Sequence, residues 1–298
     1  MSSSRSGVYF AASAYLLWGL FPVYFKLLRA ASPLEILTHR VVWAALFLAG
    51  VLTALGRWSW LSAAFRQRKV LMVFGASALM LSINWLTYIW AVNNDRIVDS
   101  SLGYFITPLV SIVLGQLFLR ERLRRVQWVA VSIAAAGVLW LAVEAAQVPW
   151  IGLVLALSFG TYGLMLMIAS LGSLEGVSLE TFMLLPIALV YGWFLVRSGG
   201  SAFGGGDTSL KALLLSLGPM TAVPLLLFAA GARRISLSTL GFLQYISPSL
   251  QFMVGTLIYG ESMSPGRLAG FAMIWVALAV YTVESVVAHR PQAPVAPE

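Results

Sequence analysis

Apolar runs of about twenty positions alternate along the chain with short breaks marked by charge, glycine or proline. The runs cover 7–28, 33–55, 70–92, 97–119 and 126–143, then 149–171, 178–197, 210–231, 236–259 and 266–287. A helix needs about 20 residues to cross the hydrocarbon core, so the pattern predicts an all-α membrane protein with ten transmembrane helices. Asp95, Arg96 and Asp99 leave only a tight turn between the third and fourth runs. The first run resembles a signal peptide, with Ala30-Ala31-Ser32 as a small-residue site. It is, however, longer than an h-region of roughly 7–15 residues and holds Trp18 and Lys26, so it reads as a retained span. Gly199 to Gly206 reads as a flexible connector, and 289–298, rich in proline, as a disordered tail.

Composition narrows the function. The 298 residues are 60% hydrophobic and only 10% charged, with a mean hydropathy of +0.88, which excludes a soluble enzyme. Ten spans leave no room for an extramembrane domain. With no cysteine and two histidines, disulfides, thiolate nucleophiles and multi-histidine metal cages are excluded. The net charge of +8 reads as basic loops facing anionic lipid rather than as a nucleic-acid surface. Twelve of the 19 basic residues fall on the side of the N-terminus, six on the other, and Arg40 lies inside a span. The positive-inside rule then puts both termini in the cytoplasm.

The chain also repeats itself. Leu102-Gly103 matches Leu240-Gly241 at an offset of 138, and Pro108, Gly115 and Glu121 match Pro248, Gly255 and Glu261 at 140. Trp18-Gly19 stands opposite Tyr162-Gly163, and Glu35 opposite Glu180. Each copy, 1–144 and 145–288, holds five spans, an odd number, so the two are threaded oppositely through the bilayer. Such inverted repeats place a binding site near the midplane between them.

The pattern Leu-Gly, Pro, Gly and Glu around the fourth span of each half resembles the EamA domains of the drug/metabolite transporter superfamily. The first half carries it most fully, in Ser101-Leu102-Gly103-Tyr104-Phe105-Ile106-Thr107-Pro108 followed by Gly115, Glu121, Gln127 and Gly137. The resemblance implies a ten-helix permease of the bacterial inner membrane, multi-pass, moving drugs or metabolites, and it favours export.

Several residues are candidates for that work. Glu35 is an intramembrane acid able to bind a cation or relay a proton. Ser32-Pro33-Leu34-Glu35 is equally a capping box, and Glu180, two residues after Ser178, fits the same explanation. Arg40 lies seven residues after Pro33, about 10 Å into the membrane at 1.5 Å per residue. It either faces the protein interior or snorkels to the outer interface. The resemblance makes it a framework or gate residue as readily as a substrate reader. His39, one turn from Glu35, completes a gate or coupling group with them.

Asn84 and Tyr88, at i and i+4, share one face within the run Asn84, Trp85, Tyr88, Trp90, Asn93 and Asn94. Tyr104, Thr107, Gln244 and Tyr245, with Ser247, lie beside Pro108 and Pro248, where proline frees a backbone carbonyl. Trp18 and Tyr162 are candidates to wall the same cavity, with Pro108 and Pro248 as helix bends. For each, interhelical packing is the competing reading.

The basic loop Gly56 to Lys69 reads as an interfacial amphipathic stretch, and Glu121, among Arg120 to Arg125, as an ion-pair partner. No Gly-rich phosphate cradle occurs, so ATP-driven transport within this chain is excluded, and no cofactor is expected. The expectation is a secondary transporter for a small organic solute, with a channel-like facilitator or a receptor subunit as alternatives. No clustered catalytic set supports an enzyme. Substrate, coupling ion and oligomeric state leave no mark in the sequence.

Overall fold

The structure is a computed structural model and describes residues 2–93, 97–144, 150–258 and 264–288. The expected turn at Asp95 and Arg96, Asn94, Glu261 and the tail from His289 lie outside the described residues. Within them every regular element is helical.

The first expected span is two helices, α1 (Ser2–Gly19) and α2 (Phe21–Leu27). Pro22 explains the break at Leu20, since proline has no N–H to offer the carbonyl of Trp18 four residues earlier. A long helix, α3 (Pro33–Ala54), opens at Ser32, whose hydroxyl accepts the Glu35 N–H at 3.2 Å. The amphipathic loop contains α4 (Ser59–Arg66). Three long helices follow: α5 (Arg68–Asn93), α6 (Ile97–Leu119) and α7 (Arg125–Glu144).

The second half begins with α8 (Trp150–Ile168) and α9 (Ser173–Arg197). Because α9 starts five residues earlier than expected, Ser178 and Glu180 lie inside it and do not cap it. The Gly-rich connector contains a helical turn, α10 (Ala202–Gly205), and leads to α11 (Thr208–Ala232). The expected span at 236–259 is built in pieces: α12 (Leu237–Gln244), α13 (Ile246–Met253) and a π-helical turn, Val254–Ile258. The last helix is α14 (Pro265–Ala288).

Among the described residues, eight helices are long and apolar enough to cross a membrane, α1 and α2 counting as one. The fourth and ninth expected spans are the two that differ. Their prolines behave differently: α6 continues through Pro108, whereas the chain breaks at Tyr245, three residues before Pro248.

In lipid the hydrophobic effect does not hold helices together, so close packing and polar contacts must. The most extensive pairings each join a helix of 2–144 to one of 150–288: α6 with α8 and α12, α7 with α14, α3 with α9 and α11, α5 with α8, and α1 with α11. Small residues allow the closest crossings. A Cβ on Gly103 would lie 2.9 Å from the Gly152 Cα, and one on Gly241 would lie 2.8 Å from the Pro108 carbonyl oxygen.

Two carboxylates bind the segments further. Glu121 forms no ion pair among the described residues: it accepts the N–H groups of Leu237 (2.6 Å) and Ser238 (3.0 Å) and the Ser238 hydroxyl (2.6 Å), and so caps α12. Glu35 does the same for α10, accepting the N–H groups of Ala202 and Phe203, both at 3.0 Å, and the Ser201 hydroxyl at 2.9 Å. The Gly-rich connector is thereby held, not free.

Substituting Gly241→Ala tests the crossing of α6 and α12. The added Cβ meets backbone that cannot yield locally, at a cost of about 1–3 kcal/mol. The thermal unfolding midpoint of the detergent-solubilised protein should fall, and an unchanged midpoint would contradict the close approach.

Candidate functional site

Where α1, α2, α3, α5, α6, α8, α11, α12 and α13 converge, the structure leaves a cavity of about 80 Å³. A single water needs roughly 10–15 Å³ by the same measure, so there is room for several waters or a small solute. Its aromatic wall is Trp18, Phe21 and Phe25 from the broken first helix, Trp85 and Tyr88 from α5, Tyr104 from α6 and Phe159 from α8. Its polar groups come from Arg40, Asn84, Gln244, Ser247 and Gln251.

Each breaks or crosses for a reason. The Trp18 carbonyl that Pro22 cannot bond accepts the Gln251 amide at 3.3 Å, so the break is closed by a side chain from α13. Asn84 donates to the Leu155 carbonyl at 3.0 Å and the Ser158 hydroxyl at 3.2 Å, fixing α5 against α8. The Tyr88 and Tyr104 rings meet edge-on at 6.0 Å. Tyr15 also lines the cavity, and behind it and Phe159 the packed rings of Phe228 and Tyr162 close that side.

Among the described residues, Arg40 is the only charged one on the wall. It turns inward, not toward the outer interface. Its Nε donates to the Thr221 hydroxyl at 3.2 Å, and its guanidinium carbon sits 4.5 Å from the Trp85 ring centroid and 5.8 Å from that of Phe25. Stacking on aromatic faces suits the weakly hydrated, planar guanidinium.

The other expected gate residues stand apart from the cavity. Glu35 is fully buried at the start of α3 and spent on α10. His39 Nδ1 accepts the Trp43 indole N–H at 2.8 Å, its ring packs on Phe203 at 5.0 Å, and its Nε2 lies 3.9 Å from Glu35.

Of the expected binding residues, Trp18, Asn84, Tyr88, Tyr104 and Gln244 line the cavity, as does Pro248. Three do not. The Thr107 hydroxyl donates to the Gly103 carbonyl at 2.7 Å within α6. Tyr162 stacks on Phe228 and donates to Glu180 at 3.3 Å. Tyr245 is fully buried against Phe242 and is not part of the wall that Gln244 lines. Pro108 presents its carbonyl to Gly241 instead of the cavity.

Residues that sequence reasoning passed over include Phe21, Phe25, Phe159 and Gln251. A signal existed for two of them, since Gln251 is two helical turns from Gln244, and Phe25 one turn from Phe21 beside Pro22. Glu180 is the interior acid: buried in α9, it accepts hydrogen bonds from Ser77 (2.5 Å) and Tyr162, across a void of about 10 Å³ from Arg40. No group of three His, Asp or Glu converges to hold a metal among the described residues.

Comparison with known proteins decides the family. Residues 5–143 match the EamA-like transporter family. Protein RarD of Escherichia coli K12 is 42% identical over 96% of this chain and 97% of its own. Uncharacterized transporter YojE of Bacillus subtilis is 45% identical over 96% of each. The chain belongs to the EamA-like transporter family and is a RarD-type permease. Its fold resembles that of a crystal structure 16% identical to it, with a TM-score of 0.71 over 96% of this chain and 99% of the other. A permease of this family is a membrane transporter, and its bilayer environment agrees with the eight apolar helices.

The cross-chain cap makes a prediction. Glu35→Ala removes three hydrogen bonds to α10 at a cost of roughly 1–2 kcal/mol. Amide hydrogen exchange at Ala202 and Phe203 should accelerate about tenfold or more; unchanged protection there would contradict the cap.

Proposed function

We propose that this permease is an inner-membrane secondary transporter that exports small organic solutes, drugs or metabolites, by alternating access. The observation that carries the reading is a cavity fed by both halves of the chain: Trp18, Arg40, Asn84, Tyr88 and Tyr104 from one, Phe159, Gln244, Ser247 and Gln251 from the other. A rocking motion between two inverted five-helix halves, 1–144 and 145–288, would open such a cavity to each face in turn. In this reading the ten spans include α6 and the segmented α12 and α13, and both termini are cytoplasmic.

The cavity's chemistry supports a solute site. Aromatic walls with a few convergent polar groups are what a small organic ligand requires, and polar residues at membrane depth are costly unless they line a pathway. In the proposed binding group, Trp18, Asn84, Tyr88, Tyr104 and Gln244 contact solute. Tyr162, Thr107 and Tyr245 support the walls from behind. Glu35 and His39 hold the α3 and α10 corner through which an outer gate would move, and the break near Pro248 supplies a bend.

Filling the cavity tests this reading. Ser247→Phe adds a ring to a space of about 80 Å³ while leaving the lipid-facing surface unchanged. Medium and cytosol of cells overproducing the wild type are compared, by untargeted mass spectrometry, with cells overproducing equally inserted Ser247→Phe. A compound enriched in the medium only with the wild type is expected. Enrichment inside the cell would contradict export, and no difference in any compound would contradict transport through this cavity.

A further inference from the structure

The charge balance of the cavity wall is uneven. Among the described residues Arg40 is the one charged residue on it, and the other polar groups there are neutral amides, phenols, indoles and a hydroxyl. Burying a guanidinium without a counter-charge is expensive, so the carboxylates within reach matter. Glu35 is occupied by three donors at α10. Each oxygen of Glu180 accepts one hydroxyl, from Ser77 and Tyr162, and the carboxylate stands across the small void from Arg40 without an ion pair to it. No carboxylate lies within 4 Å of Arg40 among the described residues.

The guanidinium is nonetheless held firmly. Thr221 fixes its Nε, and Trp85 and Phe25 fix its plane. What remains is the outer edge of the fork, two terminal amino groups with no hydrogen bond to protein among the described residues, on a side chain that lines the cavity. That edge is the part of arginine that matches a carboxylate or similar planar oxyanion with two parallel hydrogen bonds. Around it stand the rings of Phe25 and Trp85 and, near enough to act on its charge, the phenols of Tyr88 and Tyr104, while the rest of the wall offers Trp18, Phe21 and Phe159 to the hydrocarbon body of the same molecule.

We infer that the cavity selects organic anions, with Arg40 binding the carboxylate and the ring cluster of Trp18, Phe21, Phe25 and Phe159 taking an aromatic or apolar body. The inference rests on the transporter reading for its biological sense, and names the substrate class of the same site. Arg40 is then a binding residue and not only framework, and the anion supplies the missing counter-charge. Cations are disfavoured by direct repulsion, and neutral analogues lose the charge-assisted pair.

The test uses the full chain in lipid nanodiscs and three probes of one shape: 3-phenylpropionate, 3-phenylpropanamide and 3-phenylpropylamine. Binding is read by quenching of intrinsic tryptophan fluorescence, to which Trp85 and Trp18 contribute, and by thermal stabilisation. The carboxylate should bind about tenfold or more tighter than the amide, and the amine most weakly. Arg40→Gln should erase the difference, and Arg40→Lys, keeping charge without the fork, should retain part of it.

Equal binding of the carboxylate and amide by the wild type overturns the inference without recourse to any variant. So does a carboxylate preference that survives in folded Arg40→Gln. Counterflow of the same probes in proteoliposomes separates the two readings. Carboxylate-selective, Arg40-dependent binding without counterflow would keep the anion site and remove the transporter. Counterflow of the amide as fast as that of the carboxylate would keep the transporter and overturn the anion site.

Discussion

Inside a bilayer no water is at hand to satisfy a polar group, so each one must find its partner within the protein. The interior of this permease is organised by that demand. Glu35 and Glu121 sit in the first half and cap helices of the second, each carboxylate accepting two backbone N–H groups and one hydroxyl. Glu180 takes two hydroxyls from α5 and α8. The Trp18 carbonyl that Pro22 leaves open takes an amide from α13. Every one of these contacts crosses between helices, so the polar groups serve as ties where hydrophobic association gives no help.

Arg40 stands out against that background. Its Nε and its faces have partners, but its terminal amino groups have none among the described residues, so a costly ion in the membrane interior borders the cavity. The aromatic wall and the positive edge belong to one site. The same constraint that stabilises the fold thereby marks where a ligand with complementary charge is accommodated.

The helices were largely legible in the sequence because hydropathy over about twenty residues reports them directly. Their ends and breaks were less so. Ser173 and Glu175 start α9 earlier than the apolar pattern does, which converted Glu180 from a supposed cap into an interior acid. The Gly-rich stretch after α9 looked free because its order comes from Glu35, 166 residues away in sequence. Glu121 sat among arginines in sequence, yet its partners lie on α12, about 116 residues on.

Site residues divide in a similar way. Consecutive helical positions differ by about 100° around the axis, so Gln244 faces the cavity while Tyr245 faces the core. Composition cannot separate such neighbours. The face shared by Asn84 and Tyr88 was readable from i, i+4 spacing, whereas Phe159 needed knowledge of which helix lies opposite.

The central claim is that a solute passes through this cavity with access from each side in turn. Since the chain has no cysteine, Ser247→Cys places a single thiol on the cavity wall. Its modification by a membrane-impermeant maleimide can be timed in right-side-out and inverted vesicles. The account predicts reaction from both sides without the reagent itself crossing the membrane. Reaction from one side only, or leakage of the reagent through the protein, would contradict it.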